Sequence, residues 1–190
     1  MITSKAELKE YLIADAKANQ RTSVRAHLFD DIIWKYQRLL RFTNYYYHAK
    51  QRNGIFKAPF QFYRIRFHYL SIKLGFSVPY QTQIGKGLSI AHYGLLTIGS
   101  NASIGENCRI HEGVCIGATN GERESAKIGN NVFIGSGAKI IGDITIADDV
   151  AIAAGTVVTK SIVEPGTTWG GVPARKISDN DSHSNIPFLF

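Results

Sequence analysis

Residues 98–117 read IGSNASIGENCRIHEGVCIG, and this stretch decides the fold. Isoleucine falls at Ile98, Ile104, Ile110 and Ile116, once every six residues, and glycine follows at Gly99, Gly105 and Gly117. Further along, the same phase continues through Ile128, Ile134, Ile140, Ile146, Ile152 and Val158, with Gly129 and Gly135 after two of them. Neither the 3.6-residue period of a helix nor the two-residue period of a half-buried strand gives this pattern. A hexapeptide period predicts a parallel β-helix, in which short strands coil into a prism. One aliphatic side chain per repeat is expected to point inward, with the glycines freeing the backbone at the corners. The fold class is mainly β, and each coil buries its core only against its neighbours.

The breaks in the period bear on function. Ile84 and Ile90 form an earlier run, out of phase by two with Ile98. Two extra residues are therefore absorbed within 91–95, which read AHYGL. Glu122 stands where an inward aliphatic is due, inside the polar segment ATNGERESAK at 118–127. An unpaired carboxylate is costly to bury, so this segment is expected to be a loop thrown outward. Loops on rigid scaffolds are where sites tend to sit.

Residues 1–75 read as a helical region, 76–177 as the β-helix domain and 178–190 as a tail, with 179–184 loose and polar. Ser4 and Glu7 fit a capping box before Leu8, Tyr11, Leu12 and Ala16. A second helix is predicted from about Val24 to Lys50, with Leu28, Ile32, Leu39 and Phe42 among its apolar positions, broken at Asn53-Gly54. A third starts near Pro59 and ends at Gly75. Aromatic residues are dense here, from Phe42 to Tyr69. They either pack between the helices and the first coil or form a basic aromatic face for the inner membrane leaflet.

Composition sets further bounds. The chain has 190 residues, 44% hydrophobic and 19% charged, which is enough for a core and unlike a disordered chain. The net charge of +7 is uneven: residues 1–75 hold 14 Lys/Arg against 5 Asp/Glu, and the remainder holds 8 against 10. A basic half suggests an acidic partner. The first residues, MITSKAELKE, lack the apolar core of a signal peptide. Cys108 and Cys115 are expected to be reduced thiols, and the protein cytoplasmic, with a possible peripheral place at the inner membrane face.

These residues together resemble the hexapeptide-repeat acyltransferases, which form left-handed β-helices. The stretches IGKGLSIAH at 84–92, IGSGAKIIG at 134–142 and GVPARKI at 171–177 carry the resemblance to the serine acetyltransferase-like branch. It implies acetyl-CoA as acyl donor and a homotrimer with sites between neighbours; no metal and no nucleic acid are expected, since the basic N-terminal region alone would favour the latter. His92 matches the catalytic histidine of that branch. Where serine acetyltransferases carry an acid before that histidine, an acid entering the first coil and a second histidine in the loop, this chain has Ala91, Ser77 and Ser125. On that ground, and because IAHYG at 90–94 followed by NCRIHEGV at 107–114 resembles the enzymes that O-acetylate capsule, exopolysaccharide or O-antigen sugars, the expected acceptor is a saccharide hydroxyl in polysaccharide biosynthesis, on a nucleotide sugar or a lipid-linked glycan. Serine O-acetylation is the alternative, and an inactive sugar-binding or scaffold trimer the non-enzymatic one.

Acetyl transfer to an alcohol needs a base for the hydroxyl proton, a donor for the oxyanion, and orientation. Histidine suits the base as a residue type. His92 is the candidate, with His111, Glu112, Tyr93, Asn120 and Ser125 as substrate-site or orienting residues. Small residues Gly137, Ala138, Ala153, Ala154 and Gly155 are candidates to admit the pantetheine arm, and Thr159, Lys160, Arg175 and Lys176 to hold the phosphates. Trp169 either stacks on adenine or caps the prism. A zinc site lacks a third ligand at the expected spacing.

Overall fold

The computed structural model describes residues 1–26, 31–119 and 124–186. The hexads form short parallel strands stacked on three faces. The first face carries Phe76–Ser77, Leu96–Ile98, Cys115–Gly117, Lys139–Ile141 and Val157–Val158. The second carries Gln83–Ile84, Ser103–Ile104, Lys127–Ile128 and Thr145–Ile146. The third carries Ser89–Ile90, Arg109–Ile110, Phe133–Ile134, Ala151–Ile152 and Thr168–Gly170, with Arg175–Ser178 added antiparallel at its end. Each face stacks one buried ladder: Ile98–Ile116–Ile140–Val158, Ile84–Ile104–Ile128–Ile146 and Ile90–Ile110–Ile134–Ile152.

The register turns the phase breaks into lengths. Ile134 to Ile152 is one coil of 18 residues, Ile90 to Ile110 one of 20, and Ile110 to Ile134 one of 24. The prism thus carries insertions of two and six residues. They leave at different corners. The first lies between the third and first faces, between Ile90 and Leu96. The second lies between the first and second faces, between Gly117 and Lys127. Glu122 and Asn120 fall outside the described residues.

Two expectations about the repeat need correction. Each hexad buries two side chains, not one. A second inward column sits two residues before each ladder position and includes Leu88, Ala102, Cys108, Val114, Val132, Ala138 and Ile144. Burial pushes the Cys108 thiol up to about 12, so it is an inert filler. Among the glycines after ladder residues, Gly85, Gly105, Gly129 and Gly135 serve close approach, not left-handed turns. A Cβ on Gly105 would lie 2.5 Å from the Gly129 carbonyl oxygen of the next coil. One corner turns instead on Asn107, Asn131 and Asp149, with φ of 59°, 53° and 60°. Their side chains bond in a ladder: Asn107 Nδ2 donates to Asn131 Oδ1, and Asn131 Nδ2 to Asp149 Oδ1, both at 2.9 Å.

Helix α1 spans Lys5–Ala18 and has the expected capping box. Helix α2 spans Ile32–Arg52 and starts later than the apolar spacing predicts, because Asp31 caps it by accepting from Ile33 N at 2.8 Å. Residues 24–26 are not helical, and Leu28 lies outside the described residues. Helix α3 spans Lys57–Leu74, holds Pro59 in its first turn, and ends on Gly75 at φ 72°. Most of the aromatics pack: Tyr63 stacks on Phe42 and on Tyr46, each at 5.0 Å between ring centroids. Tyr36 contacts Phe67 and Phe76, joining the helices to the first coil.

The helices also stand in for a missing coil. In the stack, Gly85 N donates to Ile104 O of the coil below, and Ser89 N to Cys108 O. By that pattern the carbonyls of Ile84 and Leu88 face an edge with no coil above. Arg41 donates to Ile84 O at 2.7 Å and Gly85 O at 2.6 Å, and Asn19 and Gln37 donate to Leu88 O at 2.9 and 2.8 Å. Asp15 accepts from Gly87 N and Leu88 N at 2.9 and 3.0 Å, and pairs with Arg41 through bonds of 2.7 and 3.1 Å. Both side chains are buried, so the pair is fully satisfied by partners.

The far end differs from the expected loose tail. Ser182 and Ile186 are buried, Ser182 Oγ donates to Asn131 O, and His183 Nε2 lies 3.0 Å from Asp149 Oδ1. The tail therefore docks on the Asn–Asp ladder. Trp169 lies in register with Ile152 and donates to Thr167 Oγ1 at 2.9 Å, so it ends the third-face ladder.

Candidate active site

His92 stands in the two-residue insertion and is exposed. Ile90 pairs with Ile110, and Ala91 N donates to Ile110 O at 3.0 Å. Continuing that register puts Ala91 over His111 and His92 over Glu112, with Gly135 and Ser136 one coil further. The His92 and His111 rings meet edge to face at 5.5 Å, and His111 Nδ1 lies 3.4 Å from Ser136 Oγ. One ligating atom each of His92, His111 and Glu112 lies within 4.8 Å of the others. Such closeness is common among exposed acidic groups without an ion.

The electrostatics distinguish the three. Burial, and then the Arg109 charge, hold His111 below the ordinary histidine range, with Glu112 opposing in part, so His111 is neutral at neutral pH. A hydrogen bond from Ser136 holds Glu112 below the usual carboxylate range, so it is ionised. His111 Nε2 and Glu112 Oε2 are shielded and have no hydrogen-bond partner among the described residues. The cluster is thus an exposed imidazole backed by a neutral imidazole and a carboxylate.

Beside it lies a cleft of about 170 Å³ between the end of α1, the start of α2 and the third face. Its walls include Asn19, Arg21, Asp31, Ala91, His92 and Arg109. Arg21 and Asp31 approach to 3.6 Å. The sequence reading missed Asn19, Arg21, Asp31 and Arg109. Only Arg109 left a signal, as the outward neighbour of Ile110; the others reach the site through helix docking.

The remaining candidates divide. Tyr93 is exposed beside His92. Ser125 is buried against Gly99, which corrects its placement as a surface contact for an acceptor. Ala138 has no exposure and belongs to the core, which removes it from the cofactor set. Gly137, Ala154 and Gly155 follow one edge of the prism below His92, Gly155 N donating to Ser136 O at 2.8 Å, with Ala153 half-buried beside them. Thr159 and Lys160 are exposed but follow the first-face strand, one corner away. Arg175 is exposed, and its guanidinium donates to Ala174 O at 2.9 Å. Lys176 pairs with Glu164 at 2.6 Å and Asp179 at 2.5 Å, which corrects its reading as a cation reserved for phosphate. One chain therefore does not bring these residues into one groove.

Residues 125–160, within the stacked hexads, match the family model described as bacterial transferase hexapeptide (six repeats). The chain is similar to the serine acetyltransferase of Synechococcus elongatus, 33% identical over 133 residues that cover 65% of this chain and 54% of the relative. The Staphylococcus xylosus serine acetyltransferase is 39% identical over 114 residues, covering 55% of this chain and 52% of the relative. The chain thus spans about half the length of these curated relatives. A serine acetyltransferase from Brucella abortus, solved in complex with coenzyme A, superposes with a TM-score of 0.73 at 28% identity, over 93% of this chain and 70% of that one. The Neisseria gonorrhoeae serine acetyltransferase in complex with serine gives 0.71 at 27%, over 92% and 71%.

These matches overturn the expected saccharide acceptor, since the relatives and solved structures are serine acetyltransferases. The physical error lay in treating Ala91, Ser77 and Ser125 as the loss of the site's charged partners. Glu112 and Asp31 bring carboxylates beside His92 from the coil below and from the start of α2.

Proposed function

We propose that this chain is an acetyl-CoA-dependent O-acetyltransferase whose acceptor is the hydroxyl of L-serine. The observation that carries the proposal is the cleft beside His92, small and lined by both signs of charge. A zwitterion needs a carboxylate for its ammonium and a guanidinium for its carboxylate. Asp31 supplies the first, and Arg21 and Arg109 the second. His92 takes the hydroxyl proton as the serine oxygen attacks the thioester carbonyl. The tetrahedral intermediate collapses, the C–S bond breaks, and the imidazolium returns its proton to the departing thiolate. Glu112 balances the transient positive charge on His92 from the next coil.

The acetyl donor is proposed to lie along the edge marked by Gly137, Ala154 and Gly155. Exposed Tyr93, Leu95 and Val172 belong to the same corner, an apolar margin suited to a neighbouring subunit. A homotrimer would bring that edge against the Thr159–Lys160 corner of a second copy. Light scattering that gave the mass of one 21.0 kDa chain in a fully active sample would refute this assembly.

The acceptor is tested by following thiol release from acetyl-CoA. L-Serine is expected to stimulate it saturably, and nucleotide sugars to leave it at the hydrolysis background. Asp31→Asn should raise KM for serine roughly tenfold or more with kcat little changed, as for lost ground-state binding. Glu112→Gln should instead lower kcat by roughly tenfold or more while KM stays near the wild-type value. Turnover of sugars without turnover of serine would reject the reading.

A further inference from the structure

Helix α3 has two apolar stripes, and the fold uses one. Its inner side buries Phe60, Phe67 and Leu74, spaced seven apart. Phe62, Ile65, Tyr69 and Ile72 are 54%, 64%, 64% and 70% exposed. At about 100° per residue these four fall within an arc of roughly 80° on the side opposite the buried one. The helix stands as a ridge between two grooves of about 730 and 790 Å³, with Ile65 on the wall of both. Single exposed apolar residues are ordinary, but four in register on one helix are a surface made to be covered.

Charge selects what covers it. From Asp31 to Glu106 the chain contains no Asp or Glu, while residues 32–74 contain nine Lys/Arg. Arg66 flanks the stripe, its guanidinium 5.4 Å from the centroid of the Phe62 ring, and Lys73 follows one turn beyond Tyr69. A second copy meeting this face would bring the same cations against themselves, with no acid to pair them. A polyanionic surface with an apolar interior satisfies both features at once. Aromatic and aliphatic side chains enter below the headgroups while the flanking cations hold the phosphates. No described helix is long and apolar enough to cross a membrane, so α3 would lie in the plane of the surface.

We propose that the outer face of α3 is a peripheral docking surface for an anionic lipid bilayer, inserting Phe62, Ile65, Tyr69 and Ile72 between cationic flanks. This is independent of the acetyl-transfer reading. The test is co-sedimentation of the full chain with vesicles of phosphatidylcholine alone and with one third phosphatidylglycerol, at low and high salt. Binding is expected to the anionic vesicles only and to weaken with salt. Arg66→Glu with Lys73→Glu should lower the partition coefficient roughly tenfold or more, and Ile65→Ser with Ile72→Ser at least as much. Circular dichroism and thiol-release activity of both variants should match wild type, because neither pair touches the core or the His92 cleft. Three results would each overturn the proposal: no binding to anionic vesicles at low salt, binding that both variants retain, or a lipid-free wild type whose mass falls when the isoleucine pair is replaced. The last would mark the stripe as an interface between copies.

Discussion

Replacing His92 with alanine is expected to lower acetyl transfer by roughly 10²–10⁴-fold while leaving the fold intact. His92 is exposed, belongs to no ladder, and sits in an insertion that the stack does not need, so its removal costs no core packing. His111 is not a substitute base. It lies one coil below, and its Nε2 is shielded, so an acceptor in the cleft meets His92 first. The measurement is thiol release with saturating acetyl-CoA and acceptor, paired with a thermal melt. A folded His92→Ala enzyme with turnover within about threefold of wild type would remove His92 from the mechanism, and His111 would become the residue to examine.

Asp15→Ala is expected to destabilise the protein by about 3–5 kcal/mol, the usual cost of stranding one member of a buried ion pair. Asp15 is fully buried and serves three partners: the Arg41 guanidinium and the N–H groups of Gly87 and Leu88. Its loss leaves a buried cation and two unmet donors. For a domain of this size the melting temperature should fall by roughly 6–20 °C. Asp15→Asn, which keeps the shape and one acceptor oxygen, should fall between. A melting point within about 2 °C of wild type for the alanine variant would mean that the pair contributes nothing to joining the helices to the stack.

Most of the fold was legible because a solenoid repeats one local rule. The isoleucine phase alone identified all three ladders, and the two-residue slip before Ile98 located His92. The second inward column escaped because Ala102, Cys108, Val114 and Ala138 share no single residue type, and alanine reads equally as a core filler or as room for a ligand. The start of α2 was misplaced because apolar spacing continues upstream of Asp31, and a cap competes with periodicity only once the chain folds back. The site was half legible for a related reason. His92 and Glu112 are twenty residues apart in sequence and adjacent in space, a distance set by coil length. Asp31 and Arg21 enter by packing of helices, for which the repeat has no rule. Reading positions 77, 91 and 125 without the coil below and the docked helices led to the wrong acceptor.

The way the stack is closed at each end has a consequence for polymerisation. A parallel β-helix is a template for its own continuation: every coil offers the next a full row of donors or acceptors. Here Arg41, Asn19 and Gln37 occupy the acceptors of the first coil with side chains, and no strand can add there without displacing them. At the other end Arg175–Ser178 runs against the direction of all strands before it, so the parallel series cannot be extended from that edge. The two ends act as chain terminators of opposite design, one made of side chains and one of a reversed strand. Fibre growth from this molecule would therefore begin with the loss of one of them, and Asp15, which holds Arg41 in place, guards the first.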